Sequence, residues 1–230
     1  MWLPMKPAPT VTQMVELMSG DSLDRRTLTA APVLAREFYQ RPTVDVARGL
    51  LGKLLVRRNR EGTVAVRLVE VEAYLGPTDP ACHTFGGRRT PRVATMWGDA
   101  GHAYVYLIYG VHHCLNVVTV GGGAGEAVLV RGGAVVLGHE LARRRRGPTV
   151  AERSLADGPG KLCQALAISR NDDGRDLCVP RISLWLSNDG LRPAPGSIRS
   201  TPRVGVGYAG AAAGWPLRFT AVGAAVEPPV

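Results

Sequence analysis

Lysine is scarce in this chain, and a hydrophobic run long enough to cross a membrane is missing. Only Lys6, Lys53 and Lys161 occur among 230 residues, so arginine carries almost all of the net charge of +9. No apolar run approaches the roughly 18 residues that span a bilayer, and the start lacks the charged-then-apolar order of a secretory signal. We therefore expect no membrane association, and an arginine-rich surface that suits either a polyanionic partner or no partner at all.

Cysteine motifs that would bind zinc or form a disulfide framework are also missing. The four cysteines are far apart, without a C-x-x-C pair: Cys82, Cys114, Cys163 and Cys178. Outside a secretory context such spacing favours buried, reduced thiols. Cys82-His83 and His113-Cys114 lack the spacing of a tetrahedral site, so we expect no metal and no other cofactor.

Hydrophobic patterns predict one mixed domain over residues 31–230, after a poorly ordered leader of residues 1–30 that has no sustained periodicity. Helices are predicted over 43–51, 135–146 and 162–168 from apolar spacing and from their start and stop signals. Strands are predicted from alternation and from turn residues. They cover 53–58, 64–75, 103–109, 113–120, 127–131, 203–208 and 216–219.

The strand over 64–75 separates polar from apolar side chains. Period-two alternation puts Glu70, Glu72 and Tyr74 on one face, and Val69, Val71 and Ala73 on the other. The apolar face belongs against the core, so the polar face is expected at solvent or along a cleft. Alternation does not distinguish Glu70 from Glu72, because the two residues are spaced by two.

The loop over 76–101 is long and is interrupted repeatedly by proline and glycine. Loops of this length within a compact domain are usually functional or disordered. This one carries a histidine and three arginines: His83, Arg88, Arg89 and Arg92. A predicted hairpin follows, with Tyr104 and Tyr106 on one face and Tyr109 near its tip.

Together these features predict a cleft for a nucleobase. Aromatic faces stack on bases, and arginines hold phosphates. An enzyme that acts on a base within a duplex must first take that base out of the stack and into a close-fitting pocket. A nucleic-acid-binding module without catalysis would use the same side chains. A zinc nucleobase deaminase would need H-x-E and P-C-x-x-C motifs, which the sequence lacks.

The residues of seven motifs, taken in their order along the chain, resemble those of the alkyladenine (3-methyladenine) DNA glycosylase family. The motifs are VEVEAYLGPTDPACH over 69–83, RTPR over 89–92, YVYLIYG over 104–110, CLN over 114–116, VLVR over 128–131, GPGKLCQAL over 158–166 and RVGVG over 203–207. The resemblance covers roughly residues 42–219. The family usually continues after Arg131 with Ala and a Glu-Pro. This chain has Gly132-Gly133-Ala134 there, in what we expect to be a supporting loop.

The resemblance implies an α+β fold: a curved antiparallel sheet, surrounding helices and a protruding hairpin that inserts into DNA. It also implies hydrolysis of the N-glycosidic bond of alkylated or deaminated purines, without a metal or a covalent intermediate. A glycosylase that also cleaves the backbone needs an amine nucleophile. No lysine lies between Arg67 and Arg131, which favours a simple hydrolase.

By the same resemblance Glu72, which directly precedes Ala73 and Tyr74, is the general base that activates a water. A carboxylate in such a place can also stabilise positive charge that develops on the sugar. Arg131 matches the arginine that helps Glu72 to hold that water.

The resemblance assigns the pocket as well. Tyr74, His83 and Tyr106 match the walls that stack on the base, which suits electron-poor alkylpurines. Asn116 matches the floor residue that disfavours guanine by crowding its 2-amino group.

Contacts with the rest of the duplex follow from the same family pattern. Tyr109 matches the residue that wedges into the minor groove in place of the flipped nucleotide. Thr90, Arg92 and Lys161 match the surface that grips phosphates. The resemblance thus implies a monomer that binds double-stranded DNA containing damaged purines and acts in base excision repair. We expect it in the cytoplasm of a bacterium, or in the nucleus if the source is eukaryotic.

Overall fold

The computed structural model describes residues 23–179, 183–222 and 226–227. The α-helices are short: α1 (Arg25–Ala30), α2 (Arg36–Tyr39), α3 (Thr43–Leu50), α4 (His139–Arg146) and α5 (Pro159–Ala165). Within the described ranges no helix is both long and apolar enough to cross a membrane. Of the predicted leader, residues 1–22 lie outside the described residues. Residues 25–30 form α1, whose Leu28 is buried.

Ten β-strands are found in the described part of the chain: β1 (Leu54–Asn59), β2 (Gly62–Tyr74), β3 (Ala103–Ile108), β4 (His112–Thr119), β5 (Glu126–Leu137), β6 (Leu184–Ser187), β7 (Arg192–Pro193), β8 (Ile198–Thr201), β9 (Arg218–Ala221) and β10 (Val226–Glu227). The main sheet has the order β3-β4-β5-β2-β1-β6, with β9 also paired to β2 and β8 to β9. Every pair in it is antiparallel. The predicted α+β class is confirmed.

The core lies between this sheet and helices α3 and α5. Val46, Ala47 and Leu50 follow helical spacing, so α3 buries one apolar stripe, and each is fully buried. Complete burial of one such leucine contributes about 1.5–3 kcal/mol. Thr43, the predicted N-cap, is instead the first helical residue, and its hydroxyl hydrogen-bonds Glu126 and Thr119.

Strand β2 is the centre of the sheet and contains a β-bulge at Val69. Leu68 pairs with Gly133, but Glu70 pairs with Gly132, so Val69 is the extra residue. Because a bulge reverses the alternation, Val69 packs in a different cluster from Val71. The prediction that these two valines share a face is therefore wrong. The bulge lies directly before the stretch of β2 that carries Glu70 and Glu72.

Two predictions are wrong in these parts of the chain: the start of the helix over 135–146 and the strand over 203–208. Val135 to Leu137 continue β5 instead of opening a helix, since their backbones pair with β2 and two of them are β-branched valines. The strand ends at Gly138, whose left-handed φ of 79° starts α4. Consequently Gly132-Gly133-Ala134 lies inside strand β5 and does not form the loop that was expected there. The predicted strand over 203–208 is not a strand either, because Gly205 has a positive φ of 75°.

The arginines that end α4 join elements together. Arg145 donates to the carbonyl of Ala165 at 2.9 Å and pairs with Glu61 at 2.7 Å. Arg146 donates to the carbonyl of Leu155 and to the side chain of Gln164. Cations also suit the carbonyl end of a helix. This run therefore ties α4 to α5 and to the β1–β2 turn.

Candidate active site

Glu72 lies near the end of β2 with its side chain fully buried. Its Oε1 accepts a hydrogen bond from the backbone N–H of Val204 at 2.8 Å, and its Oε2 accepts one from the Tyr74 hydroxyl at 2.9 Å. Arg131 on β5 approaches Oε1 to 3.4 Å through its Nε. Two strands and a segment distant in sequence thus fix the orientation of one carboxylate.

Burial raises the pKa of Glu72 above its ordinary value of 4.5. The charge of Arg131 and the hydrogen bonds from Val204 and Tyr74 act in the opposite direction, but they do not cancel the effect of burial. A carboxylate whose pKa is raised takes up a proton more readily once it is ionised. It is therefore better suited to act as a general base near neutral pH.

Glu70, the other candidate carboxylate, has different partners. Its Oε1 accepts hydrogen bonds from Nε of Arg131 at 2.9 Å and from Nε of Arg218 at 2.5 Å. Glu72 instead bonds Tyr74, which lines a pocket. Both carboxylates are buried, although the strand pattern allowed them to face solvent.

The pocket beside Tyr74 has a volume of about 340 Å³. Part of this space is open to solvent. Its lining is mostly aromatic and uncharged: Tyr74, Ala81, Cys82, His83, Met96, Tyr104, Tyr106, Asn116 and Tyr208. A flat aromatic ring fits such a lining better than a sugar or a phosphate does.

Three rings from the loop and the hairpin pack against one another in this pocket. His83 stands edge-on to Tyr106, with centroids 4.7 Å apart and planes at 72°. Tyr104 and Tyr106 follow each other on one face of β3, 5.5 Å apart. The Tyr104 hydroxyl lies 2.9 Å from Nδ1 of His83 and fixes that ring. The predicted shared face of the two tyrosines is confirmed.

His83 is held in its neutral form. Burial, with the charges of Arg92 and Arg88, lowers the pKa of His83 to about 4. At neutral pH the ring thus carries one donor and one acceptor nitrogen, and Nδ1 is engaged by Tyr104. The other nitrogen can serve either as donor or as acceptor toward a bound ring.

Asn116 is buried on β4, directly opposite Tyr104 in the β3–β4 pair. Its Nδ2 donates to the Tyr104 carbonyl at 3.3 Å. That bond fixes the amide in a wall of the pocket that it lines.

Tyr109 occupies the tip of the hairpin between β3 and β4. Its backbone adopts a left-handed φ of 52°, and its side chain is 87% exposed. Val111, two residues on, is 69% exposed. This bulky residue is therefore held out at an apex in an unusual backbone conformation, and it is not buried beneath the turn.

The three residues predicted to grip phosphates lie outside the pocket. Arg92 donates to the Leu107 carbonyl at 3.4 Å, which links the loop to the hairpin. Thr90 is exposed and precedes the 3₁₀ segment Pro91–Trp97. Lys161 on α5 is half exposed and pairs with Asp157 at 2.8 Å.

Sequence reasoning missed two side chains of the site. Arg203 is buried, and its guanidinium lies over the Tyr74 ring at 4.7 Å from the centroid. Tyr208 lines the pocket mouth and donates its hydroxyl hydrogen to the Ala81 carbonyl at 3.1 Å. Both come from the stretch predicted to be a strand. The RVGVG motif marked that stretch, but the partners are more than a hundred residues away in sequence.

A comparison with family models matches residues 37–225 to the methylpurine-DNA glycosylase family. The chain belongs to this family. It is 49% identical over 188 residues to a protein of Methanocella arvoryzae that is named provisionally as a 3-methyladenine DNA glycosylase, covering 82% of this chain and 92% of that protein. It is 44% identical over 195 residues to human DNA-3-methyladenine glycosylase, covering 81% of this chain and 64% of the human protein.

The mouse DNA-3-methyladenine glycosylase is 41% identical over 223 residues, which cover 90% of this chain and 66% of the mouse protein. The resemblance drawn from the motifs is therefore confirmed. Membership of the methylpurine-DNA glycosylase family also confirms the predicted enzyme class, a hydrolase that acts on N-glycosyl bonds.

Proposed function

We propose that this protein is a monofunctional DNA glycosylase. It flips alkylated or deaminated purines out of duplex DNA and hydrolyses the N-glycosidic bond, leaving an abasic site. The observation that carries the proposal is the buried Glu72 carboxylate, which is hydrogen-bonded to a wall of the aromatic pocket. A base bound in that pocket would bring its sugar carbon close to this carboxylate.

In the proposed reaction Glu72 takes a proton from a water as that water attacks the anomeric carbon. The bond between sugar and base breaks, and the purine leaves with the bonding electrons. The carboxylate also stabilises the positive charge that develops on the sugar. Arg131 helps to place the water, which is supported by the approach of its Nε to Glu72 at 3.4 Å.

The pocket selects the base by stacking. Tyr74, His83 and Tyr106 form its walls, and stacking on such rings contributes about 1–3 kcal/mol per base. Alkylation leaves a purine electron-poor or cationic, which strengthens its attraction to π faces. The neutral His83 supports this role, because a protonated ring would repel a cationic base. Asn116 crowds the 2-amino group of guanine.

Outside the pocket, Tyr109 fills the gap that the flipped nucleotide leaves in the duplex. The 87% exposure of its side chain at the hairpin tip supports this role. Thr90, Arg92 and Lys161 contact the phosphates. The protein acts as a monomer on damaged double-stranded DNA, in the cytoplasm of a bacterium or in a eukaryotic nucleus.

A base-release assay on a panel of single-lesion duplexes tests the proposal. The panel holds 3-methyladenine, 7-methylguanine, hypoxanthine and ethenoadenine, each in the same sequence, with an undamaged duplex as the control. Free base is identified by chromatography, and we expect it from at least one lesion and not from the control. Tight binding of the lesions without any free base would instead favour a damaged-DNA-binding module.

Borohydride trapping separates a simple hydrolase from a glycosylase that also cleaves the strand. We expect no covalent protein–DNA adduct, because no lysine lies between Arg67 and Arg131, the stretch that carries Glu72. A trapped adduct would contradict monofunctional hydrolysis while leaving the base-release result intact.

A further inference from the structure

An ion pair that is buried completely lies behind the pocket. Arg203 and Asp79 are both 0% exposed, with Nη1 2.5 Å from Oδ2 and Nη2 2.8 Å from Oδ1. Nη1 also donates to the Ala73 carbonyl at 3.0 Å. Nε of Arg203 has no hydrogen-bond partner among the described residues. Removing two charges from water is costly, so a pair of this kind at this place invites a functional explanation.

Arg203 touches the catalytic side of the pocket in two ways. Its guanidinium lies on the Tyr74 ring, 4.7 Å from the centroid. Its neighbour in sequence, Val204, donates its backbone N–H to Oε1 of Glu72. A shift of Arg203 would therefore move the ring that donates to one oxygen of Glu72 and the N–H that donates to the other.

Asp79 extends the connection to Ala81, another residue that lines the pocket. Its Oδ2 accepts from the backbone N–H of Leu75 at 3.1 Å, and its Oδ1 from that of Ala81 at 3.0 Å. Burial works against ionisation of Asp79, yet the hydrogen bonds from Arg203 and from the two backbone N–H groups hold the pKa of this carboxyl below its usual range. Ala81 lines the pocket, and its carbonyl accepts a hydrogen bond from the Tyr208 hydroxyl.

We propose that Arg203 and Asp79 are positioning residues, which hold Glu72, Tyr74 and the pocket edge at Ala81 in one arrangement. This inference rests on the proposed role of Glu72 as the general base. Neither residue needs to touch the substrate. The pair acts by fixing both hydrogen bonds to the carboxylate, and the cation of Arg203 also favours its ionised form.

Several charged or titratable groups face Glu72 and share control of its ionisation. They are Glu70 and Tyr74 on β2, Arg131 on β5, Arg218 on β9, Tyr106 on β3, Cys114 on β4, and Arg203 and Tyr208 on the segment after β8. Arg131 is the largest charge effect on the carboxylate, since it lies 3.4 Å from Oε1. Loss of Arg203 removes one of these cations and leaves Asp79 buried without its partner.

The chain contains a matched control pair. Arg67 on β2 donates to the Gly52 carbonyl and makes two hydrogen bonds to Asp189. Both side chains are 2% exposed. This pair therefore has the same bonding pattern and almost the same burial as Arg203 with Asp79, but it binds the chain at Gly52 and not at the pocket.

The test compares single-turnover base release at saturating enzyme, and lesion binding, for Arg203→Met, Arg203→Lys and Asp79→Asn. The matched controls are Arg67→Met and Asp189→Asn, and each protein is assayed well below its thermal transition. We expect Arg203→Met and Asp79→Asn to lower the release rate about 10²-fold, which a displacement of about 1 Å can cause. Arg203→Lys keeps the positive charge but loses the planar guanidinium that makes two hydrogen bonds to Asp79. Its release rate should therefore lie between those of Arg203→Met and the wild type.

Three further results would support positioning over a purely structural role. Lesion affinity should change much less than the release rate. The acid limb of the pH–rate profile, where the rate falls as the pH drops, should move to higher pH in Arg203→Met. The reason is that a cation that favours ionised Glu72 is lost. The double variant of Arg203 and Asp79 should be no slower than its slower parent, because the two residues act as a unit.

The control variants should melt at lower temperature but release base at the wild-type rate, with an unmoved acid limb. If folded Arg203→Lys and Asp79→Asn also show the wild-type rate and acid limb, the inference is wrong. A fall in rate of the same size in the Arg67 and Asp189 variants would equally overturn it. Excision by Glu72→Gln at the wild-type rate would instead refute the proposed role of Glu72 as the general base, whatever the Arg203 variants do.

Discussion

At the scale of single residues, Glu72 is set apart from Glu70 by what holds each carboxylate. Arg131 and Arg218 both donate to one oxygen of Glu70. Both of its hydrogen-bond donors are therefore charged groups. Glu72 accepts its two hydrogen bonds from neutral donors, one of them the pocket residue Tyr74, and burial raises its pKa. The structure therefore favours Glu72 over Glu70 on physical grounds that strand alternation could not supply.

The raised pKa of Glu72 predicts the pH dependence of catalysis. A general base must be ionised, so the rate of base release should fall as the pH drops through the pKa of Glu72, and that fall should begin above the ordinary value of 4.5. The pKa of His83 lies at about 4, so its protonation affects only the lower end of this range. Single-turnover rates across the pH range measure the limb.

The control for this profile is His83→Gln, which should change the rate but leave the position of the acid limb in place. A limb at or below pH 4.5 in the wild type would contradict a buried carboxylate with a raised pKa. If the acid limb moves in His83→Gln, the group that titrates is the histidine and not Glu72.

Much of the site was predictable at this scale only through the resemblance. Composition and alternation led to a base-binding cleft, and the motifs supplied the individual positions. The hydrogen bond from Val204 to Glu72 joins residues 132 apart in sequence. No local pattern encodes such a contact, and the same applies to the pair of Arg203 with Asp79.

At the scale of elements, the β3–β4 hairpin presents Tyr109 as a candidate wedge. Tyr109→Ser should weaken capture of a lesion that is well stacked and paired by about 1–3 kcal/mol, the contribution of one aromatic stack. A lesion opposite an abasic gap is already unpaired, so the same change should cost much less there. Binding of both duplexes by anisotropy gives the two values.

Val111→Ser is the matched variant for this experiment, because Val111 is also exposed at the hairpin tip. It should have a smaller effect and should not discriminate between the two duplexes. An equal loss for stacked and unpaired lesions in Tyr109→Ser would contradict a role in flipping.

The bulge in β2 depends on a close approach to β5. A Cβ added to Gly133 would lie 2.2 Å from the Arg67 carbonyl oxygen, a contact that the backbone cannot accommodate without moving. Gly133→Ala should therefore lower the free energy of unfolding by about 1–3 kcal/mol, as overpacking does. Urea denaturation measures this difference.

Gly214→Ala serves as the control, because nothing lies within 4 Å of its added Cβ. It should leave stability unchanged or slightly raised. Equal stability of Gly133→Ala and the wild type would show that β5 can shift away from β2 at no cost.

The elements show where sequence reasoning succeeds and where it fails. Strands β1 to β4 and helix α3 were predicted within one or two residues, because alternation, helical spacing and turn residues agree there. The extension of β5 to Leu137 was missed, because Val135 to Leu137 fit either a strand or the start of a helix. The bulge at Val69 was missed because it is defined by the pairing with Gly132 and Gly133 on the partner strand, which alternation along β2 does not reveal.

At the scale of the whole molecule, the net charge of +9 predicts strongly salt-dependent binding to DNA. Each phosphate that the protein neutralises adds about −0.9 to the slope of log affinity against log salt. Arg92→Ala should make that slope shallower by about 1. Titrations of a lesion duplex at several salt concentrations measure it.

Arg60→Ala is the matched control, since it removes the same charge from the β1–β2 turn. That turn lies at the end of β2 opposite to Tyr74. The slope should not change in this variant. Equal slopes for wild type and Arg92→Ala would remove Arg92 from the phosphate contacts.

The order of the strands could not be read from the sequence. Central β2 pairs with β1 along its first half and with β9 along its second half, while β5 covers its other edge. Strand β9 comes from the far end of the chain, and β6 and β8 had no clear pattern of their own. Short turns predict that neighbouring strands are antiparallel. The pairing of β9 with the stretch of β2 that carries Glu72 depends on the complete fold.

One comparison tests the central claim most directly: single-turnover release of hypoxanthine from duplex DNA by the wild type, Glu72→Gln and Glu70→Gln, with lesion binding measured in parallel. We predict that Glu72→Gln releases the base at least about 10²-fold more slowly than the wild type, since a general base contributes roughly 10²–10⁴-fold to the rate. The variant should still bind the lesion. Glu70→Gln should retain measurable release. Substantial excision by Glu72→Gln, or loss of release in Glu70→Gln alone, would contradict the account.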